Sequence, residues 1–233
     1  MCAVISDIHG NLEALRAVVA RGEELGVDEW ICLGDIVGYG ANPNECLELT
    51  RNLCRVILLG NHDEAAMGGG DLSYFNPWAA EAILWTRRAL DPSWKMFLRA
   101  LPLHHETEFA TFVHSTPIMP ERWDYILDAE DALANADGFY TPFCFVGHSH
   151  RPGIYELPPL HGSDQPRWMV NVGSVGQPRD GDPRACMVLI RDEDAGREGI
   201  ELVRVEYDIE TARRKILLAG LPEILAERLR VGL

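Results

Sequence analysis

The sequence lacks the features that mark membrane-spanning, secreted and disulfide-bonded proteins. No apolar run approaches the ~20 residues that a membrane-spanning helix needs. The first residues have neither a basic segment nor a long apolar stretch with a cleavage site, so no secretory signal is expected. The six cysteines form no CxxC pair and mostly lie in apolar runs, which predicts free thiols packed as small hydrophobic groups. Together these absences predict a cytoplasmic protein without a membrane segment.

Positive charge is also scarce, with 21 Lys and Arg residues against 36 Asp and Glu residues and a net charge of −15. Such a surface repels long polyanions, and no local run of basic residues compensates for it. A long nucleic acid is therefore not expected as a partner. The share of hydrophobic residues, 47%, is ordinary for a folded protein. Without an internal repeat or a low-complexity stretch, we expect one domain over residues 1–233.

Short apolar strands alternate with helices in the first half of the chain. Asn11 is placed to cap the helix after the first strand, and Asn42 with Pro43 opens the next helix. This β-α-β-α-β order favours an α/β fold in which these strands pair in parallel. We expect strands at 2–5, 30–33, 55–59, 109–114, 143–146, 168–172, 185–190 and 201–205, a polar hairpin loop at 191–199, and closing helices at about 208–219 and 221–230.

Residues 64–100 form a helical segment rich in aromatic side chains. Either it lines the rim of a substrate site or its aromatics bury helix faces, since Trp78 and Trp85 are seven residues apart like core positions. The segment is equally suited to an interface between two copies, so a homo-oligomer stays open. Arg122, in a later aromatic stretch, either contacts a phosphate or is solvated.

Polar residues follow five of the expected strands. In an open α/β sheet the carboxyl ends of the strands form the ligand crevice, and Asp, Asn and His bind divalent metals of the Mn, Fe, Co and Zn type. Each motif alone is weak, but together they contain five of the eight histidines. The motifs are Ser6-Asp7-Ile8-His9-Gly10-Asn11, Gly34-Asp35, Gly60-Asn61-His62-Asp63, His114-Ser115 and Gly147-His148-Ser149-His150.

This ordered set of motifs resembles that of the calcineurin-like metallophosphoesterases. Within them it is most similar to small bacterial and archaeal members, which are YfcE-like or related to diadenosine tetraphosphatase. The chain departs from the family where His114 precedes Ser-Thr-Pro instead of a glycine, and where Asn171-Val-Gly-Ser replaces Asn-Pro-Gly-Ser. Neither departure removes a ligand. The resemblance implies a four-layer αββα sandwich of two mixed β-sheets flanked by helices.

The resemblance also implies a role for each motif residue. His62 is the general acid that protonates the leaving oxygen, and a hydroxide bridging two divalent metal ions attacks the phosphorus. Mn is the favoured metal, with Fe, Co, Ni and Zn open. Asp63 either orients His62 or caps the next helix. The first ion is assigned to Asp7, His9 and His150, the second to Asn61, His114 and His148, and the bridge between them to Asp35.

The expected activity is hydrolysis of a small phosphodiester or phosphomonoester, with a nucleotide as one candidate. Phosphodiesters are slightly favoured, because in the family the terminal Gly-His-x-His pattern accompanies mostly diesterases and nucleases. A protein or dinucleoside-polyphosphate phosphatase is the alternative enzyme. A scaffold without catalysis is less favoured, since every ligand of the pattern is present. The sequence assigns no substrate-binding residue.

Overall fold

The computed structural model describes residues 1–193 and 195–233, and this part of the chain forms two five-stranded mixed β-sheets flanked by helices. Strands β1 to β10 are Cys2–Ile5, Glu29–Cys32, Val56–Ile57, His104–Glu106, Ala110–Val113, Phe143–Val146, Gly153–Leu157, Arg167–Asn171, Ala185–Ile190 and Ile200–Val205. Helices α1 to α8 are Leu12–Leu25, Pro43–Leu53, Asn61–Ala66, Pro77–Ala89, Pro92–Arg99, Ala129–Ala134, Ile209–Leu218 and Glu223–Glu227.

The first sheet has the strand order β10-β9-β1-β2-β3. Strands β1, β2 and β3 pair in parallel, which confirms the prediction made from their alternation with helices. Strand β9 runs antiparallel to both β1 and β10. The parallel pairing brings the carboxyl ends of β1, β2 and β3, and the polar motifs that follow them, to one edge of the sheet.

The second sheet has the strand order β4-β5-β6-β8-β7. Strands β5, β6 and β8 are parallel, while β4 and β7 are antiparallel edge strands. Strand β5 leads directly into His114, and β6 leads into Gly147 and the two histidines after it. The second sheet therefore delivers the last two polar motifs from neighbouring strands.

The two sheets face each other across a buried apolar core. Val4 of β1 and Leu33, which directly follows β2, pack with Phe112, Phe145 and Val170 from the second sheet, and none of the five is more than 2% exposed. Helix α1 packs outside the first sheet against β9 and β10, and α6 packs against β7 of the second. The layered arrangement implied by the family resemblance is confirmed.

Several boundaries differ from the sequence predictions. Strand β3 has only two residues, and β4 and β7 were not expected at all. Asn11 caps α1 as predicted, because its side chain accepts from the amide of Ala14. Asn42 precedes α2 but makes no such bond. Its side chain instead donates to Glu45 and accepts from Lys215.

The aromatic side chains of residues 64–100 are partly buried in one part of the segment and exposed in another. Trp94 and Phe97 pack against the core outside the first sheet, and Trp85 packs against a second apolar cluster. Trp78, which the spacing assigned to the core, is 50% exposed. Asp194, in the predicted loop 191–199, lies outside the described residues. In the rest of the chain, no helix combines the length and the apolar content that a membrane crossing requires.

Candidate metal centre

The motif loops converge at one place between the carboxyl ends of the two sheets. The chain turns sharply there, and several residues have positive φ angles, which residues other than glycine rarely adopt. The backbone is held by cross-loop hydrogen bonds, since the amide of His148 donates to the Asp7 carboxylate at 2.9 Å and the Ser174 hydroxyl donates to the Asp7 carbonyl at 2.8 Å. The non-glycine residues with positive φ in these loops are Asp7, His9, Asp35, Tyr39, His148 and His150.

Asp7, His9 and His150 form the first cluster of ligand atoms. His9 Nε2 lies 3.0 Å from His150 Nε2, and Asp7 Oδ1 lies 3.6 Å and 3.2 Å from these two atoms. The three side chains are buried, and Asp7 Oδ1 has no hydrogen-bond partner. Burial raises the pKa of Asp7, but the neighbouring His150 and His9 together outweigh it and lower the pKa below its usual value.

Backbone carbonyls determine which ring nitrogen of these histidines is free. His9 Nδ1 lies 3.0 Å from the Val37 carbonyl, and His150 Nδ1 lies 2.5 Å from the Gln177 carbonyl. A carbonyl oxygen only accepts, so each Nδ1 must carry a proton, and in the neutral ring Nε2 then presents a lone pair. Two lone pairs that face each other at 3.0 Å repel unless a cation lies between or beside them. This arrangement suits two imidazole ligands of one metal ion, each held by a hydrogen bond from its other ring nitrogen.

Asp35, His114 and His148 form the second cluster. His114 Nε2 lies 3.4 Å from Asp35 Oδ2, and the same oxygen lies 3.7 Å from His9 Nε2 in the first cluster. The Asp35 carboxylate is thus positioned between the two clusters. Ligand atoms of the three residues lie within 4.8 Å of one another. Burial lowers the pKa of His114, but Asp35 beside it outweighs this effect and raises it to about 9.

His148 differs from His9 and His150 in the ring nitrogen that faces a backbone carbonyl. Its Nε2 lies 2.8 Å from the Trp123 carbonyl, which leaves Nδ1 as the lone pair of the ring. Burial, helped by the charge of His114, lowers the pKa of His148 to about 4. The neutral ring required of a ligand is therefore the favoured form.

Asn61 lies at the first position of α3 and lines the same cavity as Asp35 and His148. Its Oδ1 is buried and has no hydrogen-bond partner, as is true of both ring nitrogens of His114 and of Asp7 Oδ1. Buried polar atoms without partners are rare in folded proteins. All of these atoms belong to Asp, Asn or His side chains, the donor set that suits Mn²⁺ or Fe²⁺. The residues present therefore fit divalent metal ions.

His62 follows Asn61 and lies against the same clusters. Its side chain is 4% exposed, and its ring packs 4.8 Å from the ring of His9 and 4.5 Å from that of Tyr39. A ring nitrogen of His62 also lies within 4.8 Å of ligand atoms of His9 and Asp35. Burial lowers the pKa of His62 well below its usual value, against the opposing charge of Asp35. The Nδ1 atom has no hydrogen-bond partner.

Asp63 caps α3 and makes no direct hydrogen bond to His62. Its carboxylate accepts from the amide of Gly60 at 3.3 Å and from the amide of Val37 at 3.1 Å. Burial and the charge of Asp35 raise the pKa of Asp63. Of the two roles left open by the sequence, the structure supports the cap.

A cavity of about 860 Å³ opens onto both clusters. The loop after β5 forms one wall, where Trp123 Nε1 donates to Glu64 on α3 at 3.2 Å and Tyr125 stacks on His148 with 4.1 Å between ring centroids. Tyr74 and Phe75 from the aromatic segment also line the cavity. Four carboxylates and two guanidinium groups also line the cavity, those of Glu64, Asp71, Glu121, Asp124, Arg122 and Arg179.

Known proteins share both the sequence pattern and the fold. The model of the calcineurin-like phosphoesterase superfamily domain matches residues 1–194. The chain belongs to this superfamily. It is 43% identical to an uncharacterised protein of Methanocaldococcus jannaschii, over all of this chain and 98% of that protein.

Two solved structures cover the whole of this superfamily member. A metallophosphoesterase from Sphaerobacter thermophilus has a TM-score of 0.85 and 39% identity, and 98% of its chain is covered. A hypothetical protein from Pyrococcus horikoshii OT3 has a TM-score of 0.84 and 23% identity, and 99% of its chain is covered. Strand β10 and helices α7 and α8, which lie beyond residue 194, are therefore part of a fold that these proteins share.

The cavity of this calcineurin-like phosphoesterase also contains an arginine, Arg179, that the sequence did not indicate. Arg179 lines the cavity, and its Nη2 donates to the Tyr39 hydroxyl at 3.2 Å and to Gln177 Oε1 at 3.0 Å. Burial, together with the charge of Arg179, lowers the pKa of His150 to about 3. Arg179 follows no strand directly and belongs to none of the five polar motifs, so no local signal in the sequence indicated it. Arg122, the arginine singled out from sequence, is 59% exposed and lies 3.4 Å from Asp124.

Proposed function

We propose that the chain is a metal-dependent phosphohydrolase that cleaves a small phosphate ester, with two divalent metal ions at the two clusters. The main support for the proposal is the approach of His9 Nε2 and His150 Nε2 to 3.0 Å, with their lone pairs facing each other. The oxygen Asp7 Oδ1 beside them has no hydrogen-bond partner. Membership of a metallophosphoesterase superfamily supports the same chemistry. When bound, the ions supply an activated water and stabilise charge on the phosphate oxygens. Mn²⁺ is the metal we favour.

Asp7, His9 and His150 would hold one ion and Asn61, His114 and His148 the other. Asp35 is suited to contact both, since its Oδ2 is 3.7 Å from His9 Nε2 and 3.4 Å from His114 Nε2. A carboxylate shared by two cations offsets their mutual repulsion. The carbonyls that accept from His9, His148 and His150 keep each ring in the tautomer that a ligand needs.

His62 is the general acid in this proposal. It lines the cavity next to Asp35, and its ring packs against the rings of His9 and Tyr39. Burial lowers its pKa in the protein alone, but a bound phosphate brings negative charge that favours the protonated ring. A protonated His62 can then donate to the oxygen that leaves phosphorus.

The substrate is small in this proposal. A cavity of about 860 Å³ is in the size range of small-molecule pockets, about 300–1,000 Å³. The excess of carboxylates over guanidinium groups in its lining and the net charge of −15 repel a long polyanion, so we expect no long nucleic acid as a partner. We place the activity in the cytoplasm, where small phosphate esters and free cysteines occur together.

The test compares two esters and two histidine variants. Metal is removed with a chelator, Mn²⁺ is added, and turnover of p-nitrophenyl phosphate and bis-p-nitrophenyl phosphate is measured. We expect His62→Ala to lower kcat about 100-fold or more while the bound metal, measured by mass spectrometry, is unchanged. His161→Ala, which alters an exposed histidine, serves as the control and should match wild type. Metal-loaded wild type that cleaves neither ester would favour the scaffold.

A further inference from the structure

Arg179 holds a guanidinium group in the substrate cavity with only neutral partners. Its two side-chain hydrogen bonds go to the Tyr39 hydroxyl and to the Gln177 amide oxygen. Its Nε is buried and has no hydrogen-bond partner. A charged group that is partly withdrawn from water is costly unless an opposite charge compensates it. Arg179 therefore has unused capacity to bind an anion.

The absence of a carboxylate beside Arg179 stands out in a chain with 36 acidic residues. Arg122 on the cavity rim is paired with Asp124, and Arg184 further along the same loop is paired with Asp182 at 2.6 Å. Within residues 1–193 and 195–233, no carboxylate oxygen lies within ion-pair distance of Arg179. The one arginine aimed into the cavity without a carboxylate partner is thus the one best able to meet a substrate anion.

Arg179 is also fixed against the residues that carry the proposed chemistry. Its backbone amide donates to the His150 carbonyl at 3.2 Å. Tyr39, to which its guanidinium is bonded, packs its ring 4.7 Å from the ring of His9 and 4.5 Å from the ring of His62. Tyr39 itself has a positive φ of 54°, a backbone conformation maintained only by its surroundings. The guanidinium is consequently anchored beside the reacting centre.

We infer that Arg179 binds a phosphate oxygen of the substrate and gives the site a preference for phosphomonoesters over phosphodiesters. This inference rests on the proposed function. Arginine offers a planar set of N–H donors that matches a phosphate group. A phosphomonoester has three terminal oxygens and nearly two negative charges at neutral pH, whereas a diester has two such oxygens and one charge. A fixed unpaired cation therefore attracts the monoester more strongly.

The preference differs from the slight advantage that the family resemblance gave to phosphodiesters. The resemblance concerned the ligand pattern, which contacts the metals, and Arg179 lies outside that pattern. Tyr39 acts as a positioning residue, because its hydroxyl holds the guanidinium and need not touch the substrate.

The test is the ratio of kcat/KM for p-nitrophenyl phosphate to kcat/KM for bis-p-nitrophenyl phosphate. This ratio does not depend on the fraction of enzyme that is folded or loaded with Mn²⁺. We expect Arg179→Gln to lower it about tenfold or more, Tyr39→Phe to lower it less, and Arg179→Lys to retain part of it. Arg184→Gln, in the same loop but outside the cavity, should leave the ratio within about twofold of wild type, since exposed ion pairs contribute little.

A binding measurement separates failure of this inference from failure of the proposed function. Titration calorimetry of inorganic phosphate into the Mn²⁺-loaded protein requires no turnover, and Arg179→Gln should weaken the affinity about tenfold. If wild type cleaves neither ester yet this loss is seen, the hydrolase proposal fails and the role of Arg179 stands. An unchanged ester ratio, equal phosphate affinity in wild type and Arg179→Gln, or no phosphate binding by wild type would overturn the inference.

Discussion

At the scale of single residues, Asp35 is positioned by the absence of a side chain at Gly60. A Cβ on Gly60 would lie 2.1 Å from Asp35 Oδ1 and 2.4 Å from the Asp35 amide. The φ of Gly60 is −103°, which any residue adopts, so the requirement for glycine comes from space alone. The amide of His62 donates to the same Oδ1 at 2.8 Å. The position of the Asp35 carboxylate therefore depends on the missing side chain at Gly60 and on the hydrogen bond from the amide of His62.

We expect Gly60→Ala to lower turnover about 100-fold and to reduce bound metal, because even a small displacement of Asp35, a proposed metal ligand, disturbs the site. The added methyl group should also cost about 1–3 kcal/mol of stability. Gly26→Ala is the control, since Gly26 has a φ of 81° and no heavy atom within 4 Å of the place where a methyl group would be added. That change should cost about 1–2 kcal/mol of stability and keep full turnover. Equal turnover in both variants would show that Asp35 tolerates displacement.

Sequence reasoning found the residues that end strands and missed those placed by tertiary contacts. Asp7, Asp35 and His114 lie within three residues of the end of a strand, and parallel pairing of β1 with β2 brings Asp7 and Asp35 to one edge of the first sheet. The positive φ angles at His9 and His150 were not foreseen, because they depend on hydrogen bonds between loops far apart in the chain. Arg179 was missed for the same reason, since its partner Tyr39 is 140 positions away.

At the scale of elements, α3 is a short helix that carries Asn61 and His62 into the site. It has only six residues, too few to be stable by its own hydrogen bonds. Asp63 compensates by accepting from the amides of Gly60 and Val37, which ties the start of the helix to the loop after β2. The position of the proposed acid therefore depends on a capping carboxylate.

Replacement of Asp63 by alanine leaves two buried amides without acceptors, and each such loss costs about 1–3 kcal/mol. Relief of the repulsion between Asp63 and Asp35 offsets part of this cost, so we expect a net loss of about 1–3 kcal/mol in urea unfolding. Turnover should fall as well, because the first turn of α3 is loosened. Asp63→Asn keeps one acceptor oxygen and should lose less than Asp63→Ala. An alanine variant more stable than the asparagine variant would mean that repulsion dominates.

Interior strands were predicted more accurately than edge strands. Strand β1 has the expected bounds, and β6 and β9 also match, because buried strands form continuous apolar runs. The edge strands β4 and β7 are half exposed and contain polar residues, so their sequences resemble loops. What defines them is pairing with β5 and β8, which local sequence does not encode.

At the scale of the whole molecule, the proposed metal site joins the two sheets. Asp7 and Asp35 follow strands of the first sheet, whereas His114, His148 and His150 follow strands of the second. In the protein alone, the facing lone pairs of His9 and His150 and the unpartnered Asp7 oxygen are unfavourable interactions at this junction. Cations that satisfy these atoms should therefore stabilise the whole fold.

Removal of metal should lower the melting temperature measurably. Mn²⁺ at 100 times its dissociation constant adds about 2.7 kcal/mol to the free energy of unfolding per site, if the unfolded chain does not bind it. For a chain of this length, that corresponds to a rise of about 5–10 °C, measured by calorimetry with Mn²⁺ and with chelator. His150→Ala removes one of the facing nitrogens and should lose most of this rise, whereas His161→Ala, at an exposed histidine, should keep it. His150→Ala lacks the ring nitrogen that faces His9 Nε2. If Mn²⁺ raised the melting temperature of this variant as much as that of wild type, the stabilising ions would bind somewhere other than the junction of the sheets.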